Sequence, residues 1–163
     1  WQASADEGAA TDGISLELSS PLRLKVEGDI LRDVPSLELL MRRLLGRLVQ
    51  LADPDAGLFA PGAHRALIEL ARQSPVVAHH LTGVRWNRHS SRTRQNMPFE
   101  GLLGRILYGA PAGVLLPWLR LAEVLQLGGK VTFGMGVLRA EILQPSAFCG
   151  TLARLDPGDP CVG

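Results

Sequence analysis

The sequence is poor in the residues that build disulfide frameworks and metal sites. Its two cysteines, Cys149 and Cys161, lie near the C-terminus and lack the spacing of metal ligands. We therefore predict a reducing compartment and no disulfide framework, with a bridge inside the C-terminal tail left open. The adjacent histidines His79 and His80 would face opposite sides of a strand, and no third ligand stands at metal spacing. We therefore predict no metal and no cofactor.

Long apolar stretches are also missing. No run reaches the roughly 18 apolar residues of a membrane-spanning helix, and the N-terminus lacks the basic and apolar regions of a signal peptide. We therefore expect a soluble, cytoplasmic protein without a membrane partner. The 163 residues, 46% of them hydrophobic, are enough for one well-buried core and too few for two. Because the chain begins at Trp1 and not at a methionine, we expect it to be part of something longer.

Lysine is scarce as well, since only Lys25 and Lys130 accompany the arginines. An arginine excess suits the binding of phosphate or carboxylate, but GC-rich coding also produces one, so composition alone does not decide. The placement of the arginines is more informative. Between residues 84 and 108, five arginines stand against one acidic residue, Glu100. These arginines are Arg85, Arg88, Arg92, Arg94 and Arg105.

Trp86, Asn87 and His89 lie among these arginines. Interleaved arginines and stackable side chains are what RNA, with its phosphate backbone and unpaired bases, requires of a hairpin. The alternative is an edge hairpin that its charges keep soluble.

The chain divides into three parts. Residues 1–13 are acidic and show no period, which predicts a linker or a disordered tail. Residues 145–163 are rich in proline and glycine, which predicts an irregular C-terminal tail. Residues 14–144 carry alternating and helical apolar patterns, and we expect them to form the folded domain.

The order of the periodic segments predicts the fold. The segments are a strand at 14–19 that Pro21 interrupts, a helix at 37–51, a shorter helix at 63–71, strands at 84–90 and 99–108, a helix at 114–125 and a strand at 137–143. This is the β-α-β-β-α-β order of an α+β, ferredoxin-like domain, with two main helices on one face of an antiparallel sheet and an extra short helix. Arg42, Arg43 and Arg47 lie on the outer face of the first helix, which we interpret as solvated.

A glycine-rich segment at 127–136 connects the last predicted helix to the last strand. Its glycines are Gly128, Gly129, Gly134 and Gly136. Glycine at these positions predicts positive φ angles or the close approach of another group. The segment is not a P-loop, because Lys130 precedes a Val-Thr pair and no strand leads into it. The alternative is a helix that Gly128 ends, followed by a bulged strand start.

Two motifs in a fixed order carry a resemblance to a known family. Residues 86–92 (Trp-Asn-Arg-His-Ser-Ser-Arg), running into 98–104 (Pro-Phe-Glu-Gly-Leu-Leu-Gly), resemble the arginine-aromatic-serine hairpin of CRISPR-associated endoribonucleases of the Cas6 type. Residues 128–136 resemble the C-terminal glycine-rich loop of that family and of the wider repeat-associated RNA-binding superfamily. Residues 21–25 are similar to the start of the family's second domain. The resemblance covers residues 14–144.

The resemblance implies a function for the chain. Members of the family have two ferredoxin-like domains in tandem, bind CRISPR repeat RNA and cleave it without a metal, through attack of a 2′-hydroxyl that leaves a 2′,3′-cyclic phosphate. Only the C-terminal domain is matched here, and the family's usual catalytic histidine belongs to the first domain. The chain is therefore predicted to be the C-terminal RNA-binding domain of a repeat-processing endoribonuclease that generates guide RNAs in antiviral defence. Whether the chain itself is an enzyme stays open.

The resemblance also assigns residues. The predicted RNA-binding residues are Arg85, Arg88, His89, Arg92, Arg94 and Lys130, together with the four glycines of the loop. His89 stands where the family often has tyrosine, and an imidazole can also stack on a base. No catalytic residue is assigned. A lone histidine is common in proteins, and nothing in the sequence marks His64, His79, His80 or His89 as catalytic.

The predicted partners are CRISPR repeat RNA and the missing N-terminal ferredoxin-like domain, with other CRISPR-associated proteins or a homodimer as further partners. One alternative is a non-catalytic RNA-binding or assembly subunit of a CRISPR effector complex, which would pack through Val131, Phe133 and Met135. Another alternative, an enzyme acting on a small molecule, would need convergent acid-base pairs, and the sequence shows no such spacing.

Overall fold

The structure is a computed structural model that describes residues 12–51, 62–89 and 96–143. The helices in these ranges are α1 (Leu37–Leu51), α2 (Ala63–Arg72) and α3 (Leu116–Leu125). The strands are β1 (Gly13–Leu22), β2 (Lys25–Val26), β3 (Asp29–Ile30), β4 (Val76–His89), β5 (Asn96–Tyr108) and β6 (Leu138–Leu143). Short 3-10 turns occupy Ala112–Leu115 and Val131–Phe133. The predicted tails at 1–13 and 145–163 lie almost entirely outside the described residues.

The main sheet has the strand order β4-β5-β1-β6, and each neighbouring pair is antiparallel. The central strand β1 places Leu16 opposite Ile106 on β5 and opposite Ala140 on β6. Each helical connection skips one strand, from β1 to β4 and from β5 to β6, as in a ferredoxin-like fold. The predicted fold class is confirmed.

One hydrophobic core lies between the helices and one face of the sheet. The predicted stripe of α1 is buried at Leu37, Leu40, Met41, Leu44 and Leu45. The sequence spacing also places Leu51 on this stripe, and that prediction is wrong: Leu51 is 62% exposed, because the last residue of α1 extends past the core. In α2, the predicted stripe of Ala66, Leu67, Leu70 and Ala71 is wrong only at Ala66, which is exposed. Ala71 is buried together with Ile68, and Leu67 and Leu70 pack against the core.

The strand boundaries differ from the predicted ones in two places. The strand predicted at 84–90 is β4, which begins at Val76 and pairs with β5 as far as His89 and Asn96. The early part of β4 was missed because its residue types, Val-Val-Ala-His-His at 76–80, do not alternate between apolar and polar. Strand β1 also does not stop at Pro21. It continues to Leu22 through a shift in register, and a residue without an amide hydrogen fits such a shift.

The segment after β1 turns back as a small hairpin, β2 paired with β3, and Leu31 then donates its amide hydrogen to the Leu24 carbonyl. Tyr108, at the end of β5, donates its hydroxyl hydrogen to the Pro35 carbonyl (2.7 Å), which ties the sheet to the start of α1. Within the described residues, no helix is both long and apolar enough to cross a membrane.

Candidate nucleic-acid interface

The glycine-rich loop adopts backbone conformations that favour glycine. Gly128, Gly134 and Gly136 have φ angles of 87°, 80° and 80°. The expectation of positive φ is confirmed at these three positions and does not apply to Gly129. Gly128 does not end the helix, since α3 stops at Leu125 and Gln126 is its C-terminal cap, with φ 58°. The residue with positive φ that ends α3 is thus Gln126, and Gly128 has its own positive φ two residues later.

Backbone hydrogen bonds hold this loop against the end of β1 and the chain that follows it. The amide of Gly129 donates to the Arg23 carbonyl (2.7 Å), and the amide of Gly136 donates to the Pro21 carbonyl (3.0 Å). A Cβ atom at Gly128 would lie 2.4 Å from the Arg23 oxygen, and one at Gly136 would lie 1.8 Å from the Leu127 oxygen. Glycine is therefore required at both positions, and the loop is fixed on the sheet.

The same loop contacts the β4–β5 hairpin through Lys130 and Phe133. The Lys130 Nζ donates to the Pro98 carbonyl (2.9 Å) and lies 3.7 Å from the centre of the Phe99 ring. Phe99 packs edge-on against Phe133 (5.4 Å between centroids) and is stacked with Trp86 on the facing strand (5.3 Å). We call these four side chains, Trp86, Phe99, Lys130 and Phe133, the loop–hairpin surface.

Exposure differs across the loop–hairpin surface. Phe99 is buried beneath its neighbours, whereas Trp86 is 40% and Phe133 47% exposed. Burial, and then the nearby charge of Arg23, lower the pKa of Lys130. The Lys130 cation therefore joins loop to hairpin, and two aromatic rings beside it remain open to solvent.

The other predicted site residues lie along the same hairpin. Arg85 is exposed on β4, opposite Glu100 in the strand register, and Glu100 forms an ion pair with Arg32 (3.7 Å). Arg88 and His89 occupy the end of β4, where their backbones pair with Met97 and Asn96.

The side chains of these last two residues, and Arg92 and Arg94 entirely, lie outside what the structure describes. The structure thus brings together the glycine-rich loop, Lys130 and the strand that carries Arg85, and the roles of the remaining arginines stay predictions.

Comparison with known proteins settles the family. The family model of the CRISPR-associated endoribonuclease Cas6 matches residues 16–138, which is most of the chain. The chain belongs to this family. No curated protein sequence matches it.

Solved Cas6 structures share the fold. A Cas6 (TTHA0078) product complex is 25% identical with a TM-score of 0.58, and the match covers 83% of this chain and 55% of that one. Thermus thermophilus Cas6 (TTHB231) is 17% identical with a TM-score of 0.62 over the same shares of the two chains. A Cas6-RT-Cas1–Cas2 complex is 19% identical with a TM-score of 0.58, covering 86% of this chain and 15% of that one. The chain spans about half the length of the first two Cas6 proteins.

Two features of this Cas6-family domain were not predicted. The first is the contact of Phe99 with Trp86, which lie opposite each other on β5 and β4. Aligning the two predicted strands as a hairpin was the signal that could have found it, because opposite residues on paired strands contact each other. A cluster of basic side chains that includes Arg23 and Arg47 lines one cavity, and it left no local signal because its members are distant in sequence. Met135 is 1% exposed, so it is unavailable to the assembly surface that the alternative function had assigned to it.

Histidine and acidic side chains do not converge on a metal site in this part of the chain. Among the described residues, no three His, Cys, Asp or Glu side chains could hold one ion. His79 and His80 are exposed on β4, where they pair with Ile106 and Arg105, and His64 is exposed on α2. The loop–hairpin surface thus combines a cation with aromatic rings, groups that suit phosphates and bases.

Proposed function

We propose that the chain is the C-terminal RNA-binding domain of a cytoplasmic, metal-independent endoribonuclease that processes CRISPR repeat RNA. Membership of the Cas6 family supports the class of substrate. The single observation that carries the proposal is the loop–hairpin surface, in which the two motifs of the family meet in one place. Residues 14–144 form the RNA-binding unit in this proposal.

The chemistry of the surface fits unpaired RNA. Trp86 stacks one face against Phe99 and is 40% exposed, so a base can stack beside it. Arg85, Arg88, Arg92 and Arg94 follow the same hairpin and supply charge for the phosphates. The fixed glycine-rich loop lets the RNA backbone pass close to the protein, because no side chain projects from it at Gly134.

In the proposed reaction, this domain holds and orients the RNA, and a general base removes the proton of the attacking 2′-hydroxyl. The base is proposed to be a histidine of a preceding ferredoxin-like domain, which the resemblance to the family implies. Partner proteins of the CRISPR machinery are also proposed, since a Cas6 domain of the same fold occurs in a Cas6-RT-Cas1–Cas2 complex.

Fluorescence anisotropy with labelled repeat RNA tests the proposal. Removing the ring in Trp86→Ala should weaken binding by roughly tenfold, because stacking contributes about 1–3 kcal/mol per base. Trp86→Phe should retain most of the affinity. Removing charge in Arg88→Gln with Arg92→Gln should reduce the dependence of affinity on salt, and Arg65→Gln, an exposed arginine on α2, is the matched control.

Equal binding by the wild-type chain, Trp86→Ala and the double arginine variant would overturn the site. Equal binding of the repeat and of a scrambled RNA of the same composition would leave a general RNA-binding domain and exclude repeat recognition by this chain.

A further inference from the structure

A second basic site lies beside the glycine-rich loop, apart from the loop–hairpin surface. A cavity of about 360 Å³ opens between α1, the chain that follows β1 and the loop at Gly128 and Gly129. Five of its lining side chains are basic, and none of the described residues lining it is acidic. The basic residues are Arg23, Lys25, Arg42, Arg43 and Arg47. We call this cavity the α1 pocket.

The four arginines of the pocket differ in their hydrogen bonds. Arg42 pairs with Glu38 (2.7 Å), and Arg43 donates to the Lys25 carbonyl. The Nε atoms of Arg23 and Arg47 are buried and have no hydrogen-bond partner among the described residues. Buried donors without an acceptor destabilise a fold, so their presence in one pocket indicates an absent acceptor.

Two glycines keep the α1 pocket open, although the fold requires neither of them. Gly46 lies inside α1, where glycine is unfavourable relative to alanine, and a Cβ atom there would meet nothing within 4 Å. Gly129 has no positive φ, and its Cβ would come no closer than 3.7 Å to the Arg23 Nη1 and carbonyl oxygen. A side chain at 129 would therefore be tolerated by the backbone and would cover the Arg23 guanidinium.

We propose that the α1 pocket binds one backbone phosphate of the RNA held on the loop–hairpin surface, through the guanidinium groups of Arg23 and Arg47. Planar guanidinium forks match the oxygens of a phosphate, and the resulting charged hydrogen bonds are strong. Arg23 connects the two sites, because its charge also acts on Lys130 across the loop. The inference depends on the proposed function, since it deepens the assignment of RNA as ligand.

Inorganic phosphate tests the pocket without RNA. Thermal unfolding is compared in phosphate and in chloride at equal ionic strength. Phosphate raises the Tm of any folded protein by exclusion from its surface, and a phosphate bound in the pocket should raise the Tm of the wild-type chain further. Arg47→Gln and Gly129→Leu should lose this further rise, and Arg47→Gln should not lower the Tm in chloride, because it removes a buried donor that lacks an acceptor. Arg65→Gln should behave as the wild type in both salts.

Labelled single-stranded RNA tests the ligand. Arg47→Gln should weaken binding about tenfold and reduce the slope of log affinity against log salt by about one, which is the effect of a lost phosphate contact. Gly129→Leu should weaken binding although it leaves every charge in place, and Arg65→Gln should not. A Tm difference between phosphate and chloride that is as large in Arg47→Gln and Gly129→Leu as in the wild type and Arg65→Gln would overturn the pocket.

The outcome is separable from that of the proposed function. If Trp86→Ala weakens RNA binding and the two pocket variants do not, the proposed function stands and the phosphate assignment is overturned. If Trp86→Ala also binds RNA as the wild type does, both the loop–hairpin site and the phosphate assignment that depends on it fail.

Discussion

The buried hydroxyl of Tyr108 makes the stability of the folded chain depend on pH. Its hydroxyl donates to the Pro35 carbonyl, and burial raises its pKa well above the ordinary value of 10.0. The unfolded chain releases this proton as pH rises past about 10, whereas the folded chain keeps it. The stability contributed by the neutral ring is therefore complete below that pH and is lost progressively above it.

Urea unfolding at increasing pH should reveal this coupling by comparison with Tyr108→Phe. At neutral pH the variant should be less stable by about 1 kcal/mol, because it leaves the Pro35 carbonyl without its donor. Above about pH 10 the wild type should lose up to about 1.4 kcal/mol per pH unit more than the variant, so the two curves should converge. The chain has a single tyrosine, so tyrosinate absorbance reports its titration directly. Curves that stay parallel would contradict the prediction.

Two glycines of the loop have the same φ of 80° and different surroundings. A Cβ atom at Gly136 would collide with the Leu127 carbonyl, whereas one at Gly134 would meet nothing within 4 Å. We expect Gly134→Ala to cost about 1–2 kcal/mol of unfolding free energy, from its backbone conformation alone. Gly136→Ala should cost more than about 3 kcal/mol, because backbone must also move. If chemical denaturation shows equal losses of unfolding free energy in Gly134→Ala and Gly136→Ala, the close approach of the Leu127 carbonyl to Gly136 adds nothing to the cost of a side chain there.

At the scale of elements, local patterns predicted the helices better than the contacts between segments. The spacing of Leu37, Leu40 and Leu44 is sufficient for α1, because one helix buries one stripe whatever it packs against. The glycine spacing likewise predicts the unusual backbone of the loop. The contact of Phe99 with Phe133 does not follow from either pattern, because it depends on how β5 and the loop meet after folding.

The α1 pocket shows the same limit. The outer arginines of a helix are usually solvated, and nothing near Arg47 in sequence distinguishes it from that default. Its surroundings come from Arg23 and Gly128, which reach α1 only because the loop is hydrogen-bonded to the chain after β1. The local sequence therefore predicts that this face of α1 is basic. It does not predict the cavity, because the cavity forms only when separate segments meet in the fold.

The joint between loop and hairpin depends on Lys130. Lys130→Met should lower the unfolding free energy by about 1–2 kcal/mol, because it removes the hydrogen bond to Pro98 and the cation over the Phe99 ring. Lys25→Met is the matched control, since it removes the other lysine at an exposed position. Chemical denaturation of both variants measures the difference. If the two variants are equally stable, Lys130 is an ordinary surface cation available to RNA, and the joint must be assigned to Phe133 alone.

For the whole molecule, binding and cleavage are expected to separate. The chain spans about half the length of the first Cas6 structures it matches. Its proposed RNA-binding features are the loop–hairpin surface and the α1 pocket. The described histidines at 64, 79 and 80 lie on α2 and β4 and belong to neither feature. The proposal that a preceding domain supplies the general base therefore predicts that these 163 residues bind RNA without cleaving it.

Repeat RNA incubated in EDTA with the 163-residue chain, and separately with the full-length gene product, tests this separation. The chain alone should retain salt-dependent binding and produce no 2′,3′-cyclic phosphate, whereas the full-length protein should produce it without added metal. A Trp86→Ala change in the full-length protein should raise KM more than it lowers kcat, because it removes binding that the substrate and the transition state share. Cleavage by the isolated chain that His79→Ala or His80→Ala abolishes would place the general base on β4, and a catalytic site would then belong to this domain.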